Sequence, residues 1–231
     1  MKSFPSIHDK RLAELVGIIL GDGMITNTYQ NKIEITLNKN EIRYAHYINN
    51  LIFDLFGIKG KIHFRKKENT LDIFIHKKII INFFIEKVGL IAAPKKNRAK
   101  IPKFIIGTRL ENYFLRGLFD TDGCFTVTDN NNTLYVRLEI KACPSPMREQ
   151  LIEILKRRGF RFGVYQIGNG VVRIQMNGYS QLFKWLEEIG TKNPNQLDKI
   201  EEVVVAGLGF EPRTSRLAGI SQPDLRVMSL S

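Results

Sequence analysis

Two aspartates in this 231-residue chain stand where metal-assisted hydrolysis could be done. Asp22 closes the stretch Leu15-Val16-Gly17-Ile18-Ile19-Leu20-Gly21-Asp22-Gly23. Asp122 closes Leu115-Arg116-Gly117-Leu118-Phe119-Asp120-Thr121-Asp122-Gly123, 100 positions later. Both stretches have the apolar spacing of a short buried helix ending in Asp-Gly. Gly23 and Gly123 read as left-handed stop residues past helix C-termini. Each carboxylate then meets the negative end of a helix dipole, a placement unfavourable by roughly 0.3–1 kcal/mol. If the helices lie side by side, the carboxylates also repel each other. A pair set against both effects points to a divalent cation that offsets them. Oxygen ligands at a partly hydrated site favour Mg²⁺, with Mn²⁺ as a substitute. Reading Asp-Gly as a plain turn after a buried helix accounts for one copy, but poorly for two in matching contexts.

Bringing two such carboxylates together requires two helices that meet closely. Each stretch carries small residues at i and i+4 on one helix face: Gly17 and Gly21 in the first, Gly117 and Thr121 in the second. A glycine inside a helix costs about 1 kcal/mol relative to alanine. Backbone-to-backbone contact between the helices gives that cost a reason, with Leu15, Ile18, Ile19, Leu115, Leu118 and Phe119 burying the rest.

The remaining chain repeats one order of elements. Helix Lys10–Asp22 is followed by strands near Met24–Tyr29 and Lys32–Asn38, turning at Gln30-Asn31. Alternation puts Ile33, Ile35 and Leu37 inward. Asn40 caps a helix to Phe56, which Gly57 ends. A hairpin, Lys61–Lys66 with Leu71–His76, and a helix, Lys78–Val88, complete the first half. A basic, proline-bounded stretch from Ala93 to Pro102 joins the halves. The second half runs through strands Phe125–Asp129 and Leu134–Lys141, turning at Asn130-Asn131-Asn132, and helix Pro144–Arg158. Hairpin Arg161–Ile167 with Val171–Asn177 and helices Tyr179–Ile189 and Pro194–Val205 follow. The Gly168-Asn169-Gly170 turn is a strong hairpin signal. Both halves read αββαββα, an internal repeat that predicts an α+β, pseudo-twofold molecule. The expected divisions are residues 1–100 with the basic linker, 101–206, and a loosely docked or disordered tail, 207–231.

Composition narrows the partners. Net charge is +12 with pI about 9.7, which calls for a polyanion or an anionic surface. No apolar run is long enough to span a bilayer, and Met1–His8 lacks a secretory pattern. Cys124 and Cys143 read as free thiols of a reducing compartment. The expected location is a prokaryotic cytoplasm or an organellar matrix, without secretion. His8, His46, His63 and His76 lack zinc-ligand spacing.

The two Asp-Gly stretches resemble the LAGLIDADG homing endonucleases, specifically the single-chain form with two motifs, and the resemblance spans roughly Leu12 to Val205. It implies two halves packed through their motif helices, with the sheets forming a saddle over DNA. It implies that Asp22 and Asp122 are the metal-binding catalytic residues, with Gly21 and Thr121 in the metal set. It places a basic catalytic residue near each site, for which Lys95, Lys96 and Lys192 are the candidates by position. Leu20 departs from the family string, where Asp120 fills the same place in the second copy. That position is not the catalytic one, and Asp120 reads as a structural or supporting group.

Outward strand residues could read base edges, since a β-ribbon fits the major groove and Arg, Lys, Asn, Gln and carboxylates each suit particular bases. In the first half these are Thr26, Thr28, Glu34, Thr36, Asn38, Lys61, His63, Arg65, Asp72 and His76. In the second they are Thr126, Thr128, Tyr135, Arg137, Glu139, Lys141, Arg161, Tyr165, Arg173, Gln175 and Asn177. The leading expectation is a monomeric, metal-dependent, site-specific double-stranded DNA endonuclease with a long target, intron-encoded or free-standing. Rivals are an intron maturase binding intron RNA, a nuclease-inactive DNA-binding regulator on the same scaffold, and an unrelated basic RNA-binding domain. The ends lack splicing residues, which disfavours an intein.

Overall fold

The computed structural model describes residues 4–28, 31–131 and 133–208. Tyr29, Gln30, Asn132 and nearly all of the expected 207–231 tail therefore lie outside the described residues. The first half contains α1 (Lys10–Gly21), β1 (Gly23–Thr26), β2 (Lys32–Asn38), α2 (Ile42–Phe56), β3 (Lys61–Phe64), β4 (Thr70–Ile75) and α3 (Lys78–Asn82). The second contains α4 (Leu110–Asp122), β5 (Gly123–Asn130), β6 (Thr133–Ala142), α5 (Pro146–Arg157), β7 (Gly163–Gly168), β8 (Val171–Asn177), α6 (Tyr179–Glu188) and α7 (Pro194–Leu208). Each half has one antiparallel four-stranded sheet, ordered β1-β2-β4-β3 and β5-β6-β8-β7. The hairpins are thus joined through their inner strands, β2 to β4 and β6 to β8.

Alternation decides which side of each sheet is core. Ile33, Ile35 and Leu37 of β2 pair with Ile75, Ile73 and Leu71 of β4, and all six are buried. Val136, Leu138, Ile140, Val172, Ile174 and Met176 form the equivalent layer in the second half. The even-numbered residues of β1, β2 and β4 form the opposite face of the first sheet.

The two halves meet along α1 and α4, and the contact is backbone against backbone. A Cβ added at Gly17 would lie 2.2 Å from the Phe114 carbonyl oxygen; one at Gly117 would lie 2.2 Å from that of Glu14. A Cβ at Gly21 would lie 2.1 Å from Thr121 Oγ1. No side chain fits at these points without separating the helices. Beside the crossing, Glu14, only 2% exposed, pairs with the Arg116 guanidinium and accepts the Tyr47 hydroxyl at 2.6 Å.

Several local expectations are corrected. Gly23 and Gly123 do not stop their helices in the left-handed region; each begins a strand, and Gly123 is extended at φ −101° and ψ 163°. Their requirement is space. A Cβ at Gly23 would lie 2.6 Å from Ile19 Cα, and one at Gly123 would lie 2.6 Å from the Phe119 carbonyl oxygen. The chain leaves each helix by folding back against its last turn. Asn38, not Asn40, is the cap: it accepts the Asn40 N–H while Glu41 accepts the Asn38 N–H, closing a capping box on a 3₁₀ turn before α2. β1 ends at Thr26, so Thr28 lies beyond it. β7 starts at Gly163, because the Arg161 N–H is taken by Gln181 Oε1 of α6 at 2.8 Å. The helix expected over Lys78–Val88 continues past α3 as a π-helical turn, Phe83–Val88, which buries Phe83 and Phe84.

Replacing Gly17 or Gly117 with alanine should cost about 3 kcal/mol, the upper end for overpacking a rigid site. Glu14→Ala should cost roughly 3–5 kcal/mol, because it strands a partly buried guanidinium. Urea unfolding measures both, and a loss below roughly 0.5 kcal/mol, the ordinary surface range, at either glycine would refute the backbone contact.

Candidate active site

The crossing carries both helices to a common end. Asp22 caps α1, and its own carbonyl accepts the Thr36 N–H from β2 at 3.2 Å. Asp122 is the last residue of α4. A Cβ on Gly21 would come within 3.5 Å of Asp122 Oδ2, so the second carboxylate lies across the first helix's final turn. Burial raises the Asp22 pKa to about 7, the charge of Asp122 adds to this, and Lys95 opposes it. Burial raises Asp122 to about 6, against the pull of Lys95 and Lys141.

Lys95 is the basic residue that the fold brings to this pair. Its ammonium donates to the carbonyls of Leu20 at 2.7 Å, Ile19 at 3.4 Å and Gly21. A cation at a helix C-terminus satisfies free carbonyls and complements the dipole. Burial lowers the Lys95 pKa, while Asp122 and Asp22 pull it up. Lys96 and Lys192 are exposed, and neither ammonium forms a hydrogen bond or ion pair among the described residues; Lys192 acts through its backbone. Lys141 enters the site through strand pairing. Gly123 pairs with Ile140, which brings the next residue, Lys141, close enough to lower the Asp122 pKa. Sequence reasoning placed Lys141 only among base-reading residues; strand register is the signal that links it to Asp122.

Asp120 is 1% exposed and supports the neighbouring chain. Its carboxylate accepts the Thr191 hydroxyl and the Lys192 N–H at 2.8 Å. Burial raises its pKa to about 7 against both hydrogen bonds.

The donor set suits a hard divalent cation only in part. Asp22 and Asp122 supply two carboxylates whose mutual repulsion a cation would relieve. The Gly21 carbonyl is already held by Lys95, and the Thr121 hydroxyl donates back to its own helix, to Gly117 at 3.1 Å or Leu118 at 3.0 Å. Among the described residues no group of three or more His, Cys, Asp or Glu side chains could hold a metal. The protein thus offers two acidic ligands, and the remaining positions fall to backbone, water or substrate oxygen.

The outward sheet faces divide into engaged and open groups. In the first half, Arg65 reaches Asp72 at 2.7 and 3.0 Å, Glu34 at 3.1 Å and Glu68 at 2.9 Å; Thr36 donates to Asp72 at 2.8 Å, and Lys32 pairs with Glu34 at 2.7 Å. Burial acts to raise the Asp72 pKa, but the bonds from Arg65 and Thr36 outweigh it and hold the carboxyl low. Glu34, Thr36, Arg65 and Asp72 therefore satisfy one another, and Asn38 is occupied by capping. Lys61, His63 and His76 are exposed, Thr26 is half-buried, and Met24 and Phe74 share that face. In the second half, Tyr135 is 53% exposed and Tyr165 46%, with Lys141 open; Arg161 is exposed and donates to the Ser180 hydroxyl at 3.3 Å. Arg137 donates to Thr128, Arg173 approaches Glu139 at 3.7 Å and lies over the Tyr165 ring, and Gln175 donates to Asn177 at 2.8 Å. Thr126 lies half-buried opposite Arg137.

Comparison with known proteins bears on this arrangement. Residues 109–190 match the model of the LAGLIDADG-like domain. The replication factor C small subunit of Methanocaldococcus jannaschii is 30% identical over 206 residues, covering 86% of this chain and 10% of that protein. The ribonucleoside-diphosphate reductase NrdEB subunit alpha of Bacillus subtilis is 25% identical over 154 residues, covering 59% of this chain and 13% of that protein. The chain thus spans about a tenth of the curated relatives it matches. Among solved structures, the LAGLIDADG meganuclease I-AabMI bound to uncleaved DNA superposes with TM-score 0.58 at 15% identity, covering 85% of this chain and 90% of that one. I-SmaMI, bound to an uncleaved DNA target in the presence of calcium ions, gives TM-score 0.60 at 11% identity, covering 94% and 96%. These likenesses show a shared two-domain α+β fold.

The raised carboxylates make stability depend on pH. A carboxyl whose folded pKa lies above its unfolded value near 3.9 stabilises the fold while protonated. That contribution is complete below pH ~4 and is lost as pH rises through about 6 for Asp122 and about 7 for Asp22. In metal-free buffer, Asp22→Asn should match the wild type in stability near pH 4 and exceed it above pH 7. Urea midpoints at the two pH values test this, and an equal difference at both would contradict it.

Proposed function

We propose, for a chain that belongs to the LAGLIDADG family, that it is a site-specific endonuclease cutting both strands of a DNA duplex as a monomer. The observation that carries this reading is the pair Asp22 and Asp122. Two half-buried carboxylates share the end of a glycine-to-glycine helix crossing, beside one half-buried ammonium. A fold-stabilising pair would not hold like charges together; a site that receives a cation and a phosphate would. The DNA present with the superposing meganucleases supports the same substrate. The relatives named above are differently named proteins in which the span shared with this chain is about a tenth of their length, which supports reading it as a transferable unit.

In this reading Asp22 and Asp122 hold the divalent cations, with backbone oxygen at Thr121 available to the second. Mg²⁺ is the cation proposed, with Mn²⁺ as a substitute. Once bound, such a cation lowers the pKa of its water and stabilises charge on the phosphate and the leaving oxygen. The chain's own groups do the rest. The Lys95 ammonium, held on the carbonyls at the end of α1, offsets phosphate charge, and Lys141 supplies a second positive charge on the Asp122 side. Each sheet lies along one half-site, where the exposed Lys61, His63, His76 and Lys141 face phosphates and base edges. Residues 1–100 and 101–206 act as two half-site modules. Phosphate contacts release counterions on binding, so affinity falls steeply with salt.

Cleavage of a randomised duplex library tests the reading. With Mg²⁺ the wild type should cut one long site, EDTA should abolish cutting, and Asp22→Asn and Asp122→Asn should each leave a nick in opposite strands. Sequence-specific binding without any cut would replace the endonuclease by a DNA-binding regulator. Binding to intron RNA in place of DNA would replace it by a maturase.

A further inference from the structure

The two aspartates are held by different devices. Asp22 follows a helix end closed by the Lys95 ammonium. Asp122 is bracketed by one short segment from the far end of the chain, residues 191–196. Thr191 and the Lys192 N–H bind the Asp120 carboxylate, two residues before Asp122. Asn193 Nδ2 donates to the Asp120 carbonyl at 3.0 Å. Gln196 spans the residues that follow: its Nε2 donates to the Gly123 carbonyl at 3.0 Å, and its Oε1 accepts the Phe125 N–H at 2.9 Å. Thr191, Asn193 and Gln196 are all buried. Asn193 also donates to Glu41 at 2.8 Å, and Asn195 to the Asn40 carbonyl at 3.1 Å, so the segment is anchored on the first half's capping turn as well.

We infer that Asn193 and Gln196 are positioning residues for the second active-site carboxylate alone, setting where the Asp122 backbone stands relative to Asp22 across the two halves. The inference rests on the reading of Asp22 and Asp122 as one catalytic carboxylate per strand. Neither residue touches the substrate. Gln196 holds the strand on one side of Asp122, and Asn193 with Asp120 holds the helix on the other. Releasing either lets the carboxylate shift while the reading faces stay in place. A displacement near 1 Å can slow a positioned reaction roughly 10²-fold. Because the helix end before Asp22 is closed by Lys95 instead, the loss falls on one strand.

The test follows both cuts on a supercoiled plasmid carrying the cognate site, with Mg²⁺, for the full chain and for Gln196→Leu, Gln196→Glu and Asn193→Ala. The leucine removes both hydrogen bonds at similar volume; the glutamate retains shape and acceptor and loses the bond to the Gly123 carbonyl. Gel shift in EDTA and thermal melts confirm target binding and folding. The expected result is nicked circles that persist, with second-strand cutting down roughly 10²-fold in Gln196→Leu. The surviving nick should fall on the same strand as in Asp122→Asn and opposite to that of Asp22→Asn. Wild-type linearisation by folded Gln196→Leu, or equal slowing of both cuts, would overturn the inference while leaving the endonuclease intact. If the wild type cuts neither strand, the endonuclease reading falls first and this inference with it.

Discussion

The whole molecule depends on the contact between the backbones of α1 and α4. At Gly17 and Gly117 each helix presses against a carbonyl of the other, closer than any side chain allows. That contact brings the two helix ends together, and the carboxylates after them. It also sets the orientation of the sheets, because β1 and β5 start directly at Gly23 and Gly123, folded back on the last turn of each helix. The crossing thus fixes the spacing of the chemistry and the attitude of the surfaces in one step. Holding two half-buried like charges at that point is unfavourable for the fold by itself, the pattern of a functional site.

The pairing is between unlike halves, and buried charge shows it. Under the repeat that equates Asp22 with Asp122, Arg116 corresponds to Val16, and Glu14 to Phe114. The Glu14–Arg116 pair therefore forms only when the first helix meets the second. Two first-half helices would bury Glu14 against Val16, and two second-half helices would bury Arg116 against Phe114, each leaving a desolvated charge without its partner. One chain folded on itself satisfies both. Pseudo-symmetry is kept in the glycines, where geometry requires it, and broken at the neighbouring positions.

Much of this was legible from spacing. The paired Asp-Gly stretches, the small residues at i and i+4, the doubled αββαββα order and the inward row of β2 all follow from periodicities of 3.6 and 2. What stayed hidden had physical reasons. Glycine after a helix signals both a left-handed stop and a close approach, and Gly23 and Gly123 answer to the second. Alternation identifies the outward face of a strand but not its partners, so Arg65 and Asp72 looked open while they bind each other. Lys95, Lys96 and Lys192 are equivalent by composition; only the fold shows that Lys95 alone reaches the helix end. Asn193 and Gln196 lie in an unremarkable polar stretch, and nothing local marks them.

The two sheet faces are consequently unequal as reading surfaces. The first commits Arg65, Glu34, Thr36, Asp72 and Lys32 to one another, a network with two buried carboxylates that pins the strands. Breaking it to free a guanidinium for a base would strand Asp72, at 1% exposure, without its partner. The second face leaves Lys141 open and carries exposed Tyr135 and Tyr165. Its Arg173 leans on Glu139 at 3.7 Å, a looser tie than those of Arg65. Asp122, on that side, is also the carboxylate whose neighbours Asp120, Gly123 and Phe125 are tied by hydrogen bonds from a second segment.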